Sequence, residues 1–234
     1  LDALHRADLV LFNGLHLEGK MTDVLGTSPR AVAVAAGIPT DKIRTQDHEP
    51  DPHVWFDVRL WKECVAAVRE ALAKADPAHA DAFRANAEKY LAELAKLDDE
   101  LRTKANSIPK ERRVLVTSHD AFGYFADAYG FEVHGLQGVS TASEPSTKDK
   151  QDLVNLLGSR RIPAVFGETS VPPKGLQSVL DAVRSDSRYG HDVRLIGGEQ
   201  ALYSDALGEP GSPGETYVGM VRHNIDTIVA GLGK

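Results

Sequence analysis

The chain has a single cysteine, Cys64, set in the apolar helical stretch WKECVAAV. One thiol excludes an intrachain disulfide framework and any cysteine-built zinc or iron–sulfur centre, so metal chemistry would fall to imidazole and carboxylate. Long apolar runs are also missing. No stretch reaches the roughly eighteen apolar residues that a membrane-spanning helix needs. Positive charge is in deficit, with 27 Lys and Arg against 34 Asp and Glu and a net charge of −7. Without a basic field there is nothing to hold a phosphate backbone, and no nucleic-acid partner is expected. GxGxxG, Walker A, GxSxG, HExxH and CxxC are all absent. With them go the usual sequence arguments for dinucleotide, nucleoside triphosphate, serine hydrolase, zincin and thioredoxin chemistry. Ser140, Ser143 and Ser146 have no adjacent general base, and Ser146 with Asp149 reads as a helix start.

What is present suits a folded α/β protein. A hydrophobic share of 42% beside 26% charged residues supplies enough apolar surface to offset ordering entropy, which excludes global disorder. Short β-rich runs alternate with amphipathic segments. In the second half, strands are expected at Arg113 to Ser118, Glu132 to Leu136, Ala164 to Glu168 and Asp192 to Ile196. Helices are expected between them at Ala121 to Tyr129, Lys148 to Ser159 and Gly175 to Arg184, a complete small doubly wound lobe. The first half offers only DLVLFNG and AVAVAAG as strands, then a helix from Val58 to Lys74, and reads as short of at least one βα unit. The chain opens without Met at LDALHRADLVLFNG, as the tail of a helix running into a strand. The expectation is a mature or clipped product whose leader and first βα unit precede Leu1.

Between the halves, Phe83, Tyr90, Leu91, Leu94, Leu97 and Leu101 recur at helical spacing over Pro77 to Ile108, with Asp76 placed to cap the start and Pro109 beyond the end. The resulting division is an N-terminal α/β lobe over 1–76, a long connecting helix over 77–109 and a C-terminal α/β lobe over 110–234. Thr40 to Pro52 and Gly208 to Gly214 read as loops.

In open α/β sheets ligands bind beyond the carboxyl ends of the strands. RVLVTS ends at His119, AVFGE ends at Glu168, Asp205 follows RLIGG by a short connection, and His53 sits in DPHVWFD. Two imidazoles with carboxylates suit a divalent transition metal. Pro52 stiffens the loop at His53, and Trp55 can shield it from water. Each residue also has a plain structural reading. His53 could be packed in a loop, His119 could open a helix capped by Ser118 or Asp120, and Asp205 could be a helix N-cap. Glu168 could be a ligand, a partner of an arginine, or an acceptor that orients a histidine, and the last is favoured. Three protein ligands plus water would equally suit a zinc-dependent hydrolase with Glu168 as its base, and a surface adhesin is a third reading.

The phrases ADLVLFNGLHLEGKM, DPHVWFD, VTSHDAFGYFADAYGFEVHGLQGVSTASEPS, LYSDALG and TYVGMVRHNIDTI, in this order, resemble the TroA-like metal-binding receptors of bacterial ABC importers. The resemblance covers essentially the whole chain. It implies two α/β lobes joined by one long backbone helix, with one divalent metal held between them and delivered to a membrane permease, and no catalysis. By position, His53 and His119 resemble two imidazole ligands and Asp205 the carboxylate ligand. Relatives devoted to manganese often have Glu at the place of His119, so His here leans toward the zinc-capable members, with Mn²⁺ and Fe²⁺ also within the family's range. A further His ligand from an H-x-Y-E-P-like segment, usual in the family, has no counterpart in this sequence. The resemblance further implies a place outside the cytoplasmic membrane, periplasmic or lipid-anchored, and a monomer is the default expectation. Affinity should fall as pH drops through the imidazole range at about 6.5.

Overall fold

The computed structural model describes residues 2–46, 48–141 and 144–233. Ser143, and Asp47 of the expected loop, lie outside the described residues. The chain forms two compact units, Leu1–Asp98 and Asp99–Lys234.

In the first unit, helix α1 (Asp2–Arg6) leads into strand β1 (Val10–Phe12). Helix α2 (Thr22–Thr27) then returns the chain to strand β2 (Ala31–Ala33), which pairs parallel with β1 in the register Val10 to Ala31. The segment expected as a plain loop at Thr40 to Pro52 contains a two-residue antiparallel ladder between β3 (Thr45–Gln46) and β4 (Glu49–Pro50). A 3₁₀ turn over Val54–Phe56 follows, and its three side chains are buried. Helix α3 (Val58–Ala75) starts where Asp57 accepts the Arg59 backbone N–H at 2.9 Å.

Helix α4 (Ala80–Asn106) is the long helix that the sequence foretells, 27 residues and so about 40 Å in length. Asp76 makes no capping bond ahead of it. Its Oδ2 lies 2.7 Å from His79 Nδ1 instead, and Pro77–His79 form a separate 3₁₀ turn. The break between the two compact units falls inside α4, after Asp98.

The second unit holds a four-stranded, all-parallel sheet in the order β6-β5-β7-β8. Its strands are β5 (Val114–His119), β6 (Glu132–Gln137), β7 (Ala164–Phe166) and β8 (Arg194–Ile196). The chain passes from β5 through α5 (Gly123–Tyr129) to β6 on one side, then through α6 (Thr147–Arg160) to β7 on the other. The strand order therefore switches direction between β5 and β7. Val114 and Val116 of β5 pack with Leu153, Leu157, Leu176 and Leu180 of α6 and α7 (Lys174–Ser185). By strand alternation Ser118 continues that face, and Leu115, Thr117 and His119 occupy the other. On that other face helix α8 (Tyr217–Leu232) approaches so closely that a Cβ on Gly231 would come within 2.6 Å of the Phe166 ring. Helices on both faces make the lobe doubly wound.

Ser146 and Asp149 form a reciprocal capping box at the start of α6, as their spacing predicts. The sequence reading assigns nothing to α8. Eight of its sixteen residues are buried, and such broad burial leaves only a weak amphipathic stripe to detect.

Candidate metal centre

His53 lies in the first unit, just after β4, and is 2% exposed. Its Nδ1 is 2.7 Å from Asp51 Oδ1, and the same oxygen accepts the His53 backbone N–H at 3.0 Å. Pro52 between them restricts the backbone. The carboxylate thus fixes the imidazole through Nδ1. Trp55 packs edge-on against the ring at 5.2 Å between centroids. Sequence reasoning passed over Asp51. The signal was there in DPH, an acid two residues ahead of a histidine.

His119 and Asp205 lie in the second unit. His119 is the last residue of β5 and fully buried. It does not open a helix, because α5 begins at Gly123 and has no side-chain cap. Its Nδ1 lies 2.5 Å from Glu168 Oε2, and its backbone N–H donates to Glu168 Oε1 at 2.9 Å. Nε2 faces Asp205 Oδ1 at 3.3 Å. Burial alone would lower the His119 pKa. The carboxylates of Asp205 and Glu168 on the two ring nitrogens outweigh it and raise the pKa to about 10.

Gly135 of β6 makes this packing feasible. A Cβ there would sit 2.5 Å from the His119 carbonyl carbon and closer still to the Asp120 nitrogen. The strand can run beside His119 only because the side chain is absent.

Asp205 is not a helix N-cap. It sits in a bend well before α8, which is capped by Thr216. Three attachments hold that bend. Leu202 forms a bridge with Glu168, extending the line of β7. Ser204 Oγ is 2.6 Å from Ser170 Oγ. Buried Asn224 of α8 accepts the Tyr203 N–H at 3.0 Å and donates to the Tyr203 carbonyl at 2.8 Å. No local sequence signal marks Asn224, because its contact depends on the packing of α8.

Chemically, the second unit presents one imidazole nitrogen and one carboxylate oxygen side by side, and the first unit presents one oriented imidazole. These are borderline-to-hard donors of the kind that zinc and manganese accept.

Residues 1–231 match the family described as ZnuA, zinc-uptake complex component A, periplasmic. The chain is 52% identical to the zinc-binding protein TroA of Treponema pallidum over 99% of its own length and 74% of that protein's. It is 48% identical to the manganese-binding lipoprotein MntA of Bacillus subtilis over 98% of its length and 74% of the relative's. The solved structure of the periplasmic zinc-binding protein TroA from Treponema pallidum superimposes with a TM-score of 0.94 at 50% identity, covering 100% of this chain and 83% of that one. With the fold and nearly the whole length in agreement, this chain belongs to the family of the zinc-uptake complex component A.

Proposed function

We propose that the protein is the metal-binding receptor of an ABC importer, that it captures one divalent transition metal outside the cytoplasmic membrane, and that His53, His119 and Asp205 are ligands to that metal. The observation that carries this reading is the His119 pair of contacts. Glu168 occupies Nδ1 and leaves Nε2 beside the Asp205 carboxylate, the arrangement in which a metal would replace the proton shared by the two donors. His53 offers a second imidazole fixed in the same manner by Asp51. Membership of an uptake family and relatives named for zinc and manganese support the choice of cargo. Two imidazoles with one carboxylate favour zinc over manganese, following the intrinsic order of divalent affinities.

A zinc-dependent hydrolase finds no support. Glu168, the one base the sequence offers, has one oxygen on the His119 backbone N–H and the other against its ring. A carboxylate held in this way positions a ligand and is not available to deprotonate a water. No helix among the described residues is long and apolar enough to cross a membrane, so the reading places the permease in another chain. The lipoprotein relatives make a lipid anchor the reading for attachment, and the working unit is taken as a monomer.

Calorimetric titration of the metal-stripped protein with Zn²⁺ and Mn²⁺ tests the proposal. One-to-one binding that is lost in His119→Ala and Asp205→Ala and weakened in His53→Ala is the expected result. Binding unchanged in all three variants would overturn the ligand assignment.

A further inference from the structure

A cavity of about 390 Å³ opens in the second unit on the sheet face opposite His119, at the carboxyl ends of β5 and β6 beside the starts of α6 and α7. Its apolar wall includes Leu136 and Leu176, and its polar lining includes Ser118, Lys150, Lys174 and Glu144. Ser118 is 3% exposed, and its hydroxyl oxygen is buried without a hydrogen-bond partner among the described residues. An orphaned hydroxyl in a polar recess costs about 1–3 kcal/mol unless something comes to meet it.

The start of α7 adds three more unused donors. Pro172 and Pro173 carry no N–H, no side chain caps the helix, and the first backbone bond is that of Gln177 to Pro173. The N–H groups of Lys174, Gly175 and Leu176 have no acceptor among the described residues. At Gly175 a Cβ would lie 2.8 Å from Leu136 Cδ2, so the bare glycine keeps this turn packed close to the cavity wall. The ammonium groups of Lys150 and Lys174 form no ion pair among the described residues. Two lysines thus stand against the single carboxylate of Glu144.

A buried unpaired hydroxyl, a helix start with free N–H groups and surplus positive charge all suit an anionic group. The volume exceeds what a bare oxyanion fills and lies in the range of small-molecule sites. We propose that this cavity binds a small organic anion, with a carboxylate or phosphate group at Ser118, Lys174 and the α7 N–H groups and an apolar body over Leu136 and Leu176. The site is separate from the metal ligands, and the proposal stands whether or not they are correctly assigned.

The test is an amide-resolved NMR titration of the ¹⁵N-labelled protein with benzoate and with phenyl phosphate, using inorganic phosphate as the bare-anion control. The expected result is saturable shifts at Lys174, Gly175 and Leu176 with at least one organic probe, which then identifies the favoured head group. Affinity should fall about tenfold in Lys174→Glu and in Ser118→Ala, the loss of roughly one charge-assisted hydrogen bond. Asp205→Ala should bind the probe unchanged. Absence of saturable shifts with both organic probes would overturn the proposal, as would equal affinity in Lys174→Glu and Lys150→Glu. Zinc titration of Lys174→Glu, a surface variant, reports the metal reading independently.

Discussion

The Nδ1 of His53 and the Oδ1 of Asp51 lie 2.7 Å apart, and the same carboxylate oxygen also accepts the His53 main-chain N–H. Asp51 therefore fixes both the ring and the backbone of the residue proposed as a ligand. Both residues are buried, so loss of the carboxylate frees the ring to rotate and to choose the wrong tautomer. Asp51→Asn is expected to weaken zinc binding by roughly 10- to 100-fold, the usual cost of removing a carboxylate that orients a metal-binding imidazole. Competition with a calibrated chelator measures it. Affinity equal to that of the unmodified protein would show that His53 needs no orienting partner.

The carboxylates at both nitrogens of His119 give metal binding a pH dependence different from that of a free imidazole. With its pKa raised to about 10, His119 carries a proton throughout the neutral range, and a metal at Nε2 must displace it. Apparent affinity should then climb about tenfold per pH unit from about pH 7 to 9, where an imidazole of ordinary pKa would already have levelled off. Titrations in buffers of different ionisation enthalpy should show about one proton released per metal bound at pH 8. The same shift stabilises the metal-free fold. Since the folded pKa lies above the unfolded one, that contribution is complete below about pH 6.5 and is lost as pH rises through about 10. Glu168→Gln should move both dependences toward the ordinary imidazole window.

Asn224 is the second residue whose effect on the proposed site would be indirect. Its side-chain amide pairs with both backbone groups of Tyr203, two residues ahead of Asp205. Asn224→Ala leaves that N–H and carbonyl without these partners, which should cost about 1–3 kcal/mol in urea unfolding. Zinc affinity should fall as well, because the Asp205 bend loses its attachment to α8. Asn224→Asp keeps the shape but turns a second acceptor toward the Tyr203 carbonyl, and it should be no better than alanine in either assay.

The sequence showed the sheet of the second unit clearly, because β5 opens on the apolar run Val114 to Val116 and α6 carries its own start signal in the Ser146–Asp149 box. Strand ends were less legible. The expected strand at Ala164 to Glu168 stops as regular sheet at Phe166, since beyond it the pairing of Glu168 is an isolated bridge to Leu202. Expectations at strand ends found His119, for in a parallel sheet function collects there. They could not find Asn224, because its contact joins residues 21 positions apart and no local pattern records it; Glu168 is favoured there as an acceptor that orients a histidine, and His119, 49 positions away, is the histidine it meets. Asp76 failed as a cap for a local reason: its carboxylate turns to His79, three residues on.

Gly135 offers a test of how tightly the candidate centre depends on the sheet beneath it. A methyl group at this position would meet the His119 carbonyl carbon at 2.5 Å, and backbone cannot yield as the tip of a side chain does. Gly135→Ala must therefore push β6 away from β5 where Asp120 donates to the Gln137 carbonyl at 3.0 Å. Overpacking of this kind costs about 1–3 kcal/mol, and the displacement falls on the residue that aims Nε2 at Asp205. Zinc affinity should drop together with unfolding free energy. Gly138→Ala is the matched control, since a Cβ there meets nothing within 4 Å and should leave both values near those of the unmodified protein. If Gly135→Ala lowered stability and left zinc affinity untouched, the position of His119 would be set by Glu168 and Asp205 alone, and the sheet would serve only to hold the fold.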